Sequence, residues 1–136
     1  MARSSSRLEG FREASRQLNE MSKVTARNVG KRSLNVPAVI LRDEMKARVS
    51  KRTGATEESI VVVKEKARKG RPQVGVIAAD IASVQLEFGN QHQAAEPFGR
   101  PAEAAKRDEM FTRFGEALKG EVDATVIRAA KKAAKG

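Results

Sequence analysis

The chain's one histidine, His92, stands between two glutamines with no Cys, Asp or second His beside it. Catalysis needs a nucleophile or a metal together with a base tuned to serve it, and a lone imidazole in a polar stretch supplies neither. Cysteine is absent. That removes disulfides, thiolate zinc sites, iron–sulfur clusters and Cys nucleophiles, and it suits assembly in a reducing compartment. Glu57 and Glu58 are adjacent, so on a strand they would face opposite sides and on a loop they are solvated charges rather than an acid–base pair. Asp43 and Glu44 have Lys46, Arg48 and Lys51 close by, a pattern of surface pairing. The run from Gly70 to Gly75 lacks both the glycine spacing and the following helix of a phosphate cradle. The sequence reads as a non-enzyme that needs no cofactor or metal.

What it has in quantity is positive charge. Its 136 residues hold 27 Lys and Arg against 17 Asp and Glu, a formal charge of +10. Residues 1–54 contribute +8 of this, residues 55–100 balance, and residues 101–136 add +2. The densest cluster is Lys66, Arg68, Lys69 and Arg71, which either keeps a hairpin tip soluble or faces DNA or an acidic partner. Trp and Tyr are absent and Phe numbers five, so stacking platforms for single strands are poorly supplied. No helix-turn-helix, zinc finger or aromatic strand motif offers base readout, leaving unspecific backbone contact as the form a nucleic-acid binder would take. No apolar run approaches the roughly 18 residues of a membrane span, and no secretion signal opens the chain.

The elements that position these groups follow from hydrophobic spacing. Met1 to Arg7 has little to bury and is expected as a flexible arm. Leu8, Phe11, Ala14 or Ser15, Leu18 and Met21 then repeat at helical intervals. Val24, Val29, Val36, Ile40, Met45 and Val49 continue helical periodicity to Arg52, with Gly30 and Pro37 as interruptions; a break or kink near Asn35 and a fresh helix are expected there. Gly54 offers the positive φ that helix ends favour, and a loop is expected after it. Ser59 to Glu65 reads as a strand, Lys66 to Pro72 as a turn, Gln73 to Ala78 as the returning strand, and Ile81 to Phe88 as a third strand with Val84, Leu86 and Phe88 at period two, with a turn of helix over Asp80 to Ser83 as the alternative lead into it. A polar loop covers Gly89 to Arg100, long enough to expect a function. From Pro101 a helical pattern resumes, weakened at Gly115 and Gly120, and Lys131, Lys132 and Lys135 suit a helix C-terminus that frays past Ala130. The expectation is one α+β domain over residues 8–130 with a long N-terminal helical region, a small antiparallel β-sheet and C-terminal helices, followed by a basic tail over 131–136.

Two segments carry a family resemblance. Arg52-Thr53-Gly54, then Ala55-Thr56-Glu57-Glu58 on to Ser59 and the aliphatic run from Ile60, is the first. Glu87-Phe88-Gly89, a short loop, then Pro97-Phe98-Gly99-Arg100-Pro101-Ala102, is the second and the more specific. Together they resemble the tail-completion or neck proteins of long-tailed phages, the gene-product-ten family of lambda-like phages. Ser50, Thr56 and Asn90 stand where that family often has Pro, Leu and Thr, changes that touch turns and packing. The resemblance implies a structural virion protein assembled in the bacterial host cytoplasm. It would form a homo-oligomeric ring, six or twelve copies by family analogy, that joins the DNA-filled head to the tail. Its neighbours would be connector or stopper proteins and tail-tube or terminator proteins. Tail terminator and head-completion stopper are rival positions, and a non-specific nucleic-acid binder is the alternative from another class. On this reading Arg52, Thr53, Gly54, Ser59, Glu87, Phe88, Gly89, Pro97, Phe98, Arg100 and Pro101 are interface or motif residues. Phe88 and Phe98 anchor the loop, and Glu87 and Arg100 form a polar pair. Lys66, Arg68, Lys69 and Arg71 would meet channel DNA or an acidic partner.

Overall fold

Apolar residues at intervals of three and four carry the first half of the chain into two helices, α1 (Ala2–Glu20) and α2 (Lys23–Arg48). They are seen in a computed structural model that describes residues 2–51 and 54–135. The break between them falls at Ser22, whose hydroxyl accepts from the Thr25 N–H at 3.2 Å and caps α2. A short helix, α3 (Ala55–Ser59), leads into β1 (Ile60–Arg68), β2 (Arg71–Ala78), a second short helix, α4 (Ala82–Phe88), and the 37-residue α5 (Gly99–Lys135). The fold is α+β, with β1 and β2 as its antiparallel sheet.

Several expectations are corrected. Helix α2 does not break near Asn35; it runs through Pro37. A proline there forfeits one backbone hydrogen bond, at a cost of about 3 kcal/mol. Val29, Ser33, Pro37, Ala38 and Met45 are nevertheless all buried along one face, and each fully buried aliphatic side chain returns about 1.5–3 kcal/mol. Tertiary burial therefore outweighs the local penalty. Ser33, wholly buried, satisfies its hydroxyl by donating to the Val29 carbonyl at 2.8 Å.

The loop expected after Gly54 is instead α3, opened by Gly54 at φ 76°. The expected third strand is α4. Asp80 and Ser83 decide this: the Ser83 hydroxyl, on a buried residue, donates to the Asp80 and Ala78 carbonyls at 2.6 and 3.1 Å. Those local bonds close a helical turn where period-two spacing alone suggests extension. The turn expected over Lys66–Pro72 shortens to Lys69-Gly70. Both residues have positive φ, 52° and 76°, as a two-residue hairpin connection requires. The strands extend to Arg68 and from Arg71, with one extra residue on β1 between Glu65 and Arg68.

The helices α1, α2 and α5 pack together and the sheet lies on α2. Two buried clusters result. One joins Met45 and Val49 of the α2 end to Ile60, Phe98 and Ala102; the other joins Ala14, Val29, Leu118 and Val122. The hairpin reaches α2 where Gly30 faces Pro72. A Cβ on Gly30 would stand 2.7 Å from the Pro72 ring, so close approach explains a glycine in mid-helix. Gly30→Ala is therefore expected to lower the melting temperature. In an open helix the same change stabilises by roughly 1 kcal/mol. A raised melting temperature in scanning fluorimetry would show that the hairpin gives way freely.

Candidate functional site

The motif around residues 87–101 builds one junction, where the end of α4 meets the start of α5. Helix α5 begins with donors that have no partner inside the helix, at Phe98, Gly99, Arg100 and position 101. The last is proline, with no N–H to satisfy. The other three donate to a single carboxylate: Phe98 and Gly99 to Glu87 Oε2 at 2.8 and 2.9 Å, and Arg100 to Glu87 Oε1 at 2.9 Å. The first bond inside the helix then runs from Ala102 N–H to the Phe98 carbonyl. Glu87 thus caps a helix eleven residues downstream.

Arg100 completes the exchange. Its Nε donates to Glu87 Oε1 at 3.0 Å and its Nη2 to the Glu87 backbone carbonyl at 2.6 Å. A carboxylate near the C-terminus of α4 and a cation in the first turn of α5 each oppose the dipole of their own helix. Set across the junction, each complements the other helix instead. The Arg100 guanidinium also lies over the Phe88 ring, 4.9 Å from its centroid. Burial works to raise the Glu87 pKa, but the N–H groups of Gly99, Arg100 and Phe98 and the Arg100 side chain overcome it and hold the carboxyl at about 2, below the usual 4.5. A depressed folded-state pKa contributes stability that is complete above the unfolded value and is lost as pH falls from about 4.5 through about 2. A carboxyl NMR titration is expected to find Glu87 ionised to the lower limit of that window. A midpoint near 4.5 would contradict the junction.

Gly89 lets the chain leave this junction. It has φ 74° and ψ 178°, a region open essentially to glycine. A Cβ there would stand 2.8 Å from the Ala95 nitrogen and 3.0 Å from the Gln93 carbonyl. Its N–H donates to Gln85 at 2.7 Å, and Glu96 N–H donates to Leu86 at 2.7 Å, folding the loop back on α4. Asn90 and Gln93 bridge its tip, where His92 is exposed. On the other side of α4, Asp80 accepts from Thr56 Oγ1 at 2.7 Å and ties α3 to the turn after β2.

The predicted site residues separate into groups. Glu87, Gly89, Phe98, Arg100 and Pro101 meet at the junction; Phe98 is buried. Phe88, expected as an anchor, is 67 % exposed. Pro97 lies in the connecting loop just before Phe98, and Gly54 and Ser59 bracket α3, where Ser59 Oγ donates to the Thr56 carbonyl at 2.7 Å. Arg52 and Thr53 lie outside the described residues. Lys66, Arg68, Lys69 and Arg71 are all exposed at the far end of the hairpin.

Sequence reasoning missed Ile81 and Val84. With Phe88 they form an outward stripe on α4, 82, 60 and 67 % exposed. Their spacing of three and four is helical, but the alternation of Val84, Leu86 and Phe88 competes with it and suggests a strand. Beside them a shallow hollow of about 320 Å³ is lined by Met45, Val84, Phe88 and Phe98. Among the described residues no acidic or histidine cluster could hold a metal. No described helix is long and apolar enough to cross a membrane.

Residues 12–89 match a protein-family model described as "Bacteriophage HK97-gp10, putative tail-component". That span takes in α2, the hairpin, α4 and Glu87, and stops before Arg100. No curated protein and no solved structure matches the chain.

Proposed function

Because the chain belongs to the HK97-gp10-like family of bacteriophage tail components, we propose that it is a structural subunit of the phage neck, forming a ring that joins the DNA-filled head to the tail. The observation that carries this reading is the α4–α5 junction. It spends a carboxylate, a guanidinium and a restricted glycine on fixing the exposed face of α4, and that face is apolar. A rigidly held helix with Ile81, Val84 and Phe88 in water is an interaction surface rather than a catalytic one. In a closed ring each subunit buries such a stripe against a different patch of the next copy, which makes the contact heterologous. Glu87 and Arg100 then act through the placement of Phe88 and of the first turn of α5. Terminator and stopper positions at the head–tail boundary demand the same ring-forming property. Localisation is the virion, with assembly in the bacterial host, and the remaining partners are the neighbouring connector and tail proteins.

Light scattering coupled to size exclusion tests this on the full chain. The expected mass is a closed multiple of the 14.8 kDa protomer, alone or after addition of the neighbouring connector protein. A single protomer mass under both conditions would sink the ring.

A further inference from the structure

Where Gly30 admits Pro72, the hairpin tip folds against the N-terminal half of α2 and leaves an open groove of about 840 Å³ beside it. The floor is apolar and comes from three directions: Met21 from the α1–α2 corner, Leu34 from α2, and Phe114 and Leu118 from α5. The rim holds Lys23, Arg27 and Lys69, and no Asp or Glu lines the groove. That rim differs from nine of the molecule's other cations. Arg16, Arg32, Arg42, Arg48, Lys51, Arg100, Lys106, Arg107 and Arg113 each have a carboxylate within 4.0 Å. Lys23, Arg27 and Lys69 have none among the described residues. The Arg27 Nε is moreover shut off from solvent with no hydrogen-bond acceptor. That atom is out of a ligand's reach as well; what the groove offers an anionic oxygen is the uncompensated charge of its three rim cations.

Two chemistries carry such oxygens, and the floor separates them. A phosphate backbone would engage the rim and leave Met21, Leu34 and Phe114 in contact with water, since a duplex presents no apolar group along its phosphates. A helix with carboxylates on one edge and aliphatic side chains on the other meets rim and floor together. We propose that this groove receives an acidic amphipathic helix of a partner protein, with Arg27 and Lys69 pairing its carboxylates and the floor taking its apolar stripe. The inference does not rest on the ring, because one protomer contains the whole groove.

The test is fluorescence anisotropy with the full chain and three labelled probes. The first is a synthetic helix of roughly 18 residues with Leu at helical spacing and Glu elsewhere. The second has the same composition scrambled so that no stripe forms, and the third is a short DNA duplex. The patterned helix is expected to bind at least about tenfold more tightly than the scrambled one, a difference of about 1.4 kcal/mol. The double variant Lys23→Glu, Lys69→Asn is expected to weaken it by about tenfold or more. Both residues are exposed, and asparagine tolerates the positive φ of position 69; an unchanged thermal melt confirms that the variant folds. Arg27→Met, which keeps the aliphatic stem, is expected to weaken the patterned helix with less effect on the scrambled one. Equal affinity for both peptides overturns the proposal. So does tighter binding of the duplex with a steep salt dependence, which would make this a phosphate-binding face, and so does no binding of the patterned helix.

Discussion

Glu87→Ala is expected to destabilise the protein by about 2–4 kcal/mol, through the loss of a helix cap and of charge-assisted hydrogen bonds. One carboxylate serves the three N–H groups at the start of α5 and the Arg100 guanidinium, so its removal strands all of them at once. Glu87→Gln keeps the shape but turns an amide NH₂ toward some of those donors, and it is expected to cost roughly half as much. The loss should be local before it is global. Amide exchange at Ala102 and the residues after it should quicken while the second cluster around Val29 and Val122 stays protected. Urea unfolding followed by circular dichroism gives the magnitude. A change below about 0.5 kcal/mol, the range of an ordinary surface substitution, would mean that water replaces Glu87 at no cost.

The second large effect is on assembly. Val84→Asp combined with Phe88→Asp places two carboxylates on the outward stripe of α4. Because both residues are exposed, the fold itself should lose little, within about 0.5 kcal/mol at Val84. Phe88 gives up its contact with the Arg100 guanidinium, worth roughly 0.5–1 kcal/mol at an exposed site. Oligomer formation, by contrast, should disappear, since burying an unpaired carboxylate in a subunit contact costs several kcal/mol. Light scattering on the folded variant reads this directly, and an unchanged ring mass would move the subunit contact elsewhere on the surface.

The sequence was most legible where one signal acted alone. Helical spacing in α1 and α2, the β-branched run of β1 and the proline in the first turn of α5 all led to the observed elements. It misled where two signals competed. At Pro37 the local penalty is visible in the sequence, while the burial from Val29 to Met45 that outweighs it depends on tertiary packing. At residues 81–88 the alternation of Val84, Leu86 and Phe88 suggested a strand, while the spacing of Ser83 and Glu87, four apart and both turned inward, carried the helix. The Glu87–Arg100 pair could be named from the motif, but its role as a cap could not. A carboxylate closing a helix that starts eleven residues later depends on the fold of the loop between them. The groove was still less visible, since Lys23 and Arg27 meet Lys69 only because Gly30 and Pro72 bring the hairpin onto α2.

The central claim is that this chain occupies the head–tail boundary as a ring whose subunits meet through α4. A reconstruction of intact particles by electron microscopy tests it most directly. The account predicts a closed ring of this fold between head and tail, with Ile81, Val84 and Phe88 of each copy buried against the next. Density for the chain along the tail or inside the head, or a neck ring with that stripe facing solvent, would contradict it.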